Sequence, residues 1–151
     1  MRTETIERAL AAVSLLQGLS ARQRGRLAAR ATTRTYREGA VIVREGDTSM
    51  ALYVVVDGRV RVECTSAAGQ PAVQLEDLTP GDVFGEMGLI DDAARSASVV
   101  AAEPTQCVLL AKWDFEKPLR DDVEIGLALL RTLSERVRRL EARLAAVAPP
   151  S

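Results

Sequence analysis

Seven glycines divide residues 36–112 into short apolar runs, and this pattern constrains the fold more than any other feature of the sequence. The runs are rich in Val, Leu and Tyr, and they are separated by Gly39, Gly46, Gly58, Gly69, Gly81, Gly85 and Gly88. Short β-prone runs between turn residues are typical of antiparallel sheets. We predict an antiparallel all-β region here, closed into a barrel or jelly roll whose inner face can hold one small ligand.

The strongest turn signal in this region is the Asp57-Gly58 dipeptide. Apolar runs stand on both sides of it in the segment ALYVVVDGRVRVEC, which predicts one β-hairpin. A further turn is predicted at Pro80-Gly81, and two closing strands are predicted on either side of Pro104.

Helical spacing of apolar residues flanks the β region at both ends. We predict a first helix over residues 4–17, a second over about 21–31 with Ser20 as its cap, and a long C-terminal helix over 119–147. The expected fold class is therefore α+β: an antiparallel jelly-roll barrel flanked by N-terminal helices within residues 4–31 and by the C-terminal helix.

The C-terminal helix contains a heptad seam, in which apolar residues recur at alternating spacings of three and four. These residues are Leu130, Leu133, Val137, Leu140, Leu144 and Val147. In this register Arg136 falls at position g and Glu141 at the following e, the positions that pair between the chains of a parallel coiled coil. We predict a homodimer through this helix. The alternative is that the seam packs on the barrel of its own chain.

Length and charge restrict the class of protein. A chain of 151 residues can bury one core, so we expect a single domain over residues 1–151 without a DNA-binding domain. Twenty basic and twenty-one acidic residues leave a net charge of −1, without the basic excess of nucleic-acid-binding proteins. The arginines of the second helix are interpreted as a solvated face because no aromatic residue lies among them, and no nucleic-acid partner is expected.

Other chemistry is restricted by residues that the chain lacks. Histidine is absent, which removes the usual general base and the commonest metal ligand. Cys64 and Cys107 form no CxxC motif, and we expect free thiols, with a disulfide as the alternative. No apolar run reaches the length of about 18 residues that a membrane span needs. We therefore expect a cytoplasmic protein that is not an enzyme, needs no metal or cofactor and contacts no membrane.

The segment GDVFGEMGLIDDAARSASV, residues 81–99, has the composition of an anion-binding loop. Gly85 and Gly88 let backbone N–H groups approach an anion, and a short helical turn at residues 86–90 would direct its N-terminus to the same place. Arg95 supplies the planar cation that matches phosphate oxygens.

Two further polar residues complete this segment. Ser96 is a hydroxyl donor beside the arginine, and Glu86 can accept hydrogen bonds from a sugar hydroxyl or from Arg95 itself. These residues indicate a pocket for a small phosphorylated ligand with a hydroxylated sugar. The same residues allow an alternative, in which Glu86 and Arg95 form an ordinary salt bridge between two turns.

A series of motifs runs through the chain in a fixed order. It comprises Gly39, Glu45-Gly46-Asp47, Tyr53, Gly58, Pro80-Gly81-Asp82, Phe84-Gly85-Glu86, Gly88-Leu89 and Arg95-Ser96-Ala97. With these motifs the sequence resembles the cyclic nucleotide-binding domain family, which includes the catabolite activator protein and the regulatory subunits of cAMP-dependent protein kinase. The resemblance covers about residues 14–147.

The resemblance implies a phosphate-binding cassette at residues 84–97. In it Arg95 would bind the cyclic phosphate and Glu86 the ribose 2′-hydroxyl. The rest of the implied site comprises Gly85, Met87, Gly88, Ser96 and Ala97 in the cassette, with Val62 and Leu75 as apolar support for the purine. The C-terminal helix would be both the lid of the pocket and the dimer seam.

The resemblance implies cAMP as the ligand, with cGMP as the alternative. Leu140 and Glu141 stand where the catabolite activator protein contacts the adenine amino group from its long helix, and Ser96 resembles the Thr with which some members select cGMP. The expected function is a stand-alone sensor that relays a rearrangement of the C-terminal helix to an unknown protein effector. The alternative is a dimeric interaction scaffold with an empty or repurposed pocket.

Overall fold

The computed structural model describes residues 2–65, 71 and 73–147, and within them helices stand at both ends of a β region. The helices are α1 (Arg2–Ala11), α2 (Ala21–Ala28), α3 (Lys112–Asp121) and α4 (Val123–Val147). The strands are β1 (Thr32–Tyr36), β2 (Val41–Val43), β3 (Ala51–Asp57), β4 (Val60–Cys64), β5 (Val73–Leu78), β6 (Val83–Phe84), β7 (Ser98–Ala101) and β8 (Thr105–Ala111). Short 3₁₀ turns form at Ser14–Leu16 and Met87–Leu89.

The strands form two antiparallel sheets of four strands each. Their orders are β1-β8-β3-β6 and β2-β7-β4-β5. The α+β class and the antiparallel pairing are thus confirmed. Ladder hydrogen bonds do not join the two sheets within the described ranges, so the jelly-roll barrel stays a prediction.

The turn at Gly58 is confirmed, but the predicted hairpin is wrong. Gly58 has a φ of 92°, and the chain passes there from β3 in one sheet to β4 in the other. A Cβ on Gly58 would overlap the carbonyl oxygen of Pro104, which lies at the matching passage from β7 to β8. Two crossings between the sheets therefore pack against each other. Because each crossing changes sheet, neither of these consecutive strand pairs forms a hairpin.

The first predicted helix is too long, since α1 ends at Ala11 rather than at residue 17. The Ser14–Leu16 turn follows, and it buries Leu15 and Leu16 completely. One continuous helix would not allow this burial, because it cannot turn both leucines to the face that holds Leu10. Ser20 caps α2 as predicted, and its Oγ accepts a hydrogen bond from the backbone N–H of Gln23 at 3.1 Å.

The β region begins earlier than predicted, and the C-terminal helix is divided. α2 ends at Ala28 and β1 begins at Thr32, before the predicted start at residue 36. The predicted helix 119–147 is interrupted at Asp122, which is extended with a φ of −138° and a ψ of 99°. As a result α3 and α4 are separate helices, and the heptad seam lies within α4.

Two groups of buried apolar side chains hold the elements together. The first lies under the helices and includes Leu10, Leu16, Leu52, Phe115 and Ile125. The second lies between the sheets and comprises Val43, Val55, Val60, Leu78, Phe84, Val99, Cys107 and Leu109. Several members of the second group also form the floor of the cavity described below, so the core and the candidate site share a wall.

Candidate ligand-binding site

A cavity of about 500 Å³ opens beside the Met87–Leu89 turn, and this volume is in the range of small-molecule sites. Eight of the nine predicted site residues line it: Val62, Gly85, Glu86, Met87, Gly88, Arg95, Ser96 and Ala97. The structure therefore brings these eight residues together around one cavity. The short helical turn predicted at residues 86–90 is present as the Met87–Leu89 turn.

Leu75 is the exception, and its predicted place beneath a purine is wrong. Its side chain is 56% exposed and lies outside the cavity. The β4–β5 register shifts here: Val62 pairs with Glu76, whereas Glu63 pairs with Gln74. Leu75 is consequently the extra residue of a β-bulge, which places Glu76 and Leu78 at the cavity instead.

Arg95 is held at the cavity wall by both its main chain and its side chain. Its backbone N–H donates to the carbonyl oxygen of Asp47 at 2.8 Å, and its Nη2 donates to the carbonyl oxygen of Ala51 at 2.7 Å. The guanidinium carbon lies 5.7 Å from the centre of the Tyr53 ring, which stacks on Phe84 with 4.7 Å between centroids. Contacts within the chain thus fix the orientation of the cation at the cavity wall.

The charge of Arg95 has no carboxylate partner within the described residues, unlike that of most other half-buried cations of the chain. Burial lowers the pKa of its guanidinium, and the nearby Tyr53 acts in the opposite direction. Arginine remains a cation at neutral pH even so. A half-buried cation without a counter-charge favours an anion in the adjoining cavity.

Gly85 makes the position of Arg95 possible. It has a φ of 79°, a backbone region that other residues rarely adopt. A Cβ at this position would overlap Nη1 of Arg95 and would lie 2.7 Å from the carbonyl oxygen of Ala51. The glycine is therefore required for two independent reasons, backbone conformation and close approach.

Glu86 forms two contacts that the sequence does not predict. Its Oε2 accepts a hydrogen bond from the backbone N–H of Leu15 at 2.8 Å, and its Oε1 pairs with Nη2 of Arg136 at 3.1 Å. The alternative interpretation, a Glu86–Arg95 salt bridge, is wrong because Arg136 takes that place. Glu86 thereby connects the cassette with the Ser14–Leu16 turn and with α4.

The heptad register predicts that Arg136, at a g position, pairs with a second chain. In the structure its side chain instead pairs with residues of its own chain. Its guanidinium faces its own cassette, where Nη2 also donates to Oγ of Ser14 at 2.8 Å and Nη1 lies 3.4 Å from Sδ of Met87. The sequence interpretation missed this residue as part of the site. No local signal could have identified it, since fifty residues separate it from Glu86.

The heptad seam of α4 is mostly exposed. Leu130, Val137, Leu140, Leu144 and Val147 are between 50% and 76% exposed, whereas Leu133 packs partly on the core beneath the helices. Packing of the whole seam on its own chain, the alternative considered above, is contradicted for these five residues. The cavity-lining residues all lie between Val43 and Val99, so neither Leu140 nor Glu141 reaches the cavity and the lid stays a prediction.

The remaining chemistry of the described residues is limited. Both cysteines are free thiols, so the alternative of a disulfide is not formed. No cluster of His, Cys, Asp and Glu suited to a metal ion occurs in the part of the chain that the structure describes. In the same part, no helix combines the length and the apolar character that crossing a membrane requires.

The sequence is similar to a described protein family and to several known proteins. The sequence model for the family described as "Cyclic nucleotide-binding domain" matches residues 33–122. The chain is 38% identical over 111 residues to the cyclic AMP receptor protein of Thermus thermophilus, a match that covers 74% of this chain and 51% of the receptor. It is 33% identical over 118 residues to the cAMP-dependent protein kinase regulatory subunit of Colletotrichum orbiculare, covering 78% of this chain and 29% of that subunit.

A solved structure extends the similarity to nearly the whole fold. The N-terminal domain of a transcriptional regulator from Streptomyces coelicolor superposes with a TM-score of 0.81 at 26% identity, covering 95% of this chain and 99% of that domain. By contrast, the chain spans about half the length of the Thermus receptor and less than a third of the Colletotrichum subunit. The similarity therefore concerns one domain of those longer proteins.

Proposed function

The chain belongs to the cyclic nucleotide-binding domain family, as its motifs indicated, and from this premise we propose that it is a cAMP sensor. At the family level it is a cyclic nucleotide-binding regulatory domain. The two relatives described above are named for cyclic AMP, which supports this nucleotide as the ligand. The proposed module is not catalytic, uses no cofactor and acts on a protein effector whose identity is open.

The observation that carries the proposal is the unpaired, half-buried guanidinium of Arg95 at the cavity wall. Its Nη2 is held by the carbonyl oxygen of Ala51, and Gly85 lies so close that no side chain intervenes. A cyclic phosphate in the cavity would neutralise this cation and accept charge-assisted hydrogen bonds from it. Gly85 and Met87, which line the cavity, would bring backbone N–H groups to the same phosphate, whereas the N–H of Gly88 already donates to the carbonyl oxygen of Gly85 at 3.1 Å.

Glu86 is proposed to read the ribose and to transmit ligand occupancy. Its two carboxylate oxygens already bind Leu15 N–H and Arg136, so a 2′-hydroxyl that approaches from the cavity must share or replace these contacts. Since Arg136 belongs to α4, a change at Glu86 alters how firmly that helix is held. The nucleotide would then shift the population of helix positions by its difference in affinity for them.

The exposed seam of α4 is proposed to pair with a second copy of the chain. Its five exposed apolar residues follow one heptad register, which a matching helix covers by knobs-into-holes packing. A dimer would transfer the movement of α4 to its partner helix and so to the effector. In the scaffold alternative the same seam would still join two chains, with the pocket empty or repurposed.

A cGMP sensor is the second candidate for the ligand. Ser96 lines the cavity next to Arg95, where its hydroxyl is available to a guanine amino group as well as to a phosphate oxygen. The site contains no described contact that selects adenine. The affinities for cAMP and cGMP therefore have to be measured to decide which base the site prefers.

The test is a calorimetric titration of cAMP and of cGMP, separately, into the nucleotide-free protein. We expect binding that Arg95→Ala weakens by about 2 to 4 kcal/mol, because a charge-assisted contact at a half-buried site is lost. Arg59→Ala is the matched control, since Arg59 pairs with Asp77 at 2.9 Å and does not line the cavity. Circular dichroism verifies that both variants fold. Absence of binding of either nucleotide to the folded wild type would refute the sensor.

A further inference from the structure

Ser49 lies in a part of the site that no motif predicted. It is 4% exposed, it lines the cavity, and its Oγ is the one buried side-chain polar atom without a hydrogen-bond partner among the described residues. Buried hydroxyl groups are almost always paired, so an unpaired one next to a cavity suggests a partner that arrives with a ligand.

The segment around Ser49 encloses Arg95. The carbonyl oxygen of Asp47 accepts the backbone N–H of Arg95, and the carbonyl oxygen of Ala51 accepts its Nη2. Between these two contacts Thr48 forms a β-bridge with Ala94. Ser49 therefore stands midway along the strip of backbone that positions the cation.

The other neighbour of Ser49 is the cassette turn. A Cβ added to Gly88 would overlap Ser49 Oγ, so the hydroxyl lies directly against the bare backbone of that glycine. An anion bound between Arg95 and the Met87–Leu89 turn would meet both of these groups. The hydroxyl of Ser49 thus lines the same cavity as Arg95 and contacts the turn that such an anion would approach.

We propose that Ser49 is a further ligand-binding residue, whose hydroxyl donates a hydrogen bond to a phosphate oxygen of the bound nucleotide. The inference rests on the proposed function, because it requires a phosphorylated ligand in this cavity. It adds a neutral donor to the cationic one of Arg95. No described residue of the chain pairs with this hydroxyl, so a phosphate oxygen would supply the hydrogen bond that the protein itself does not.

The test compares Ser49→Ala with the wild type in two measurements. The affinity for cAMP, or for cGMP if that is the preferred ligand, should fall about tenfold, whereas the melting temperature of the ligand-free protein should rise by about 2–4 °C. A merely structural serine would not combine these signs. Adenosine, or guanosine for cGMP, should bind the variant and the wild type equally, because the nucleoside has no phosphate.

Ser98→Ala is the matched control. Ser98 Oγ accepts the backbone N–H of Glu45 at 2.9 Å and does not line the cavity, so its loss should lower the melting temperature and leave the affinity unchanged. Equal affinity of the wild type and Ser49→Ala for the cyclic nucleotide would overturn the role of Ser49 alone. Wild-type protein that binds neither cyclic nucleotide would overturn the proposed function and this inference together.

Discussion

Glu86 and Arg136 are joined by a salt bridge of 3.1 Å, although one lies in the cassette and the other in the C-terminal helix. Both side chains are largely buried, with 18% and 26% of their surfaces exposed. The same carboxylate holds the N-terminal turn through Leu15 N–H at 2.8 Å. One acidic residue therefore connects the wall of the cavity with both helical ends of the fold.

Removal of Arg136 should separate nucleotide binding from the position of α4. In Arg136→Met, Glu86 loses its cationic partner, so its carboxylate gains more from a ribose hydroxyl and we expect cAMP to bind about two to five times more tightly. Spin labels on α4 and on the strands should then show no change of distance on adding nucleotide. The control is Arg138→Met, at an exposed position on the same helix. Weaker binding by Arg136→Met would instead show that Arg136 stabilises the bound state.

Substitution of Gly85 should impair both stability and binding. Gly85→Ala introduces a Cβ at a φ of 79° that overlaps Arg95, and we expect a loss of about 1–3 kcal/mol in unfolding free energy together with weaker nucleotide binding. Gly81→Ala separates the two effects, because Gly81 has a φ of 96° but open space around its Cβ position. It should lose stability and keep its affinity. Urea unfolding and calorimetry measure the two quantities, and unchanged affinity in Gly85→Ala would contradict the assigned position of Arg95.

Charge on the seam should abolish the proposed dimer without unfolding the chain. Leu140 and Leu144 are 50% and 68% exposed, so replacing both by Glu removes little buried surface from one chain but places charges inside a two-chain interface. The mass measured by light scattering coupled to size exclusion should change from that of a dimer to that of a monomer. Arg138→Glu adds negative charge at an exposed position off the seam and should remain dimeric. A monomeric wild type would exclude the dimer.

The two thiols should react very differently. Cys107 is fully buried and Cys64 is only partly covered, so iodoacetamide should label one thiol in the native protein and two in guanidinium chloride. Burial raises the pKa of Cys107 from 9.0 to about 12.

The pH dependence follows from this direction. Because the folded pKa lies above the unfolded one, the thiol's contribution to stability is complete below about pH 9 and is lost as pH rises toward 12. The stability of the wild type relative to Cys107→Ala, measured by urea unfolding, should therefore fall over that interval. Rapid labelling of both cysteines at neutral pH would contradict the burial.

Most of the site could be predicted from the sequence, because its signals are local. The glycines at 58, 81 and 85 all have positive φ, and Ser20 caps its helix through a residue three positions away. Arg95 and the cassette glycines reach one cavity because the motif places them close together in the sequence. Such signals depend on backbone preferences and on neighbours close in sequence.

What the sequence by itself determined was therefore the class of fold, the turns and the residues of the candidate cassette. The tertiary structure alone decided that the chain changes sheets at Gly58, that a bulge turns Leu75 away from the cavity, and that Glu86 pairs with Arg136 rather than with Arg95. The physical reason is separation along the chain. Strand partners and ion pairs tens of residues apart are selected by how whole elements pack, and no local pattern of residues records that packing.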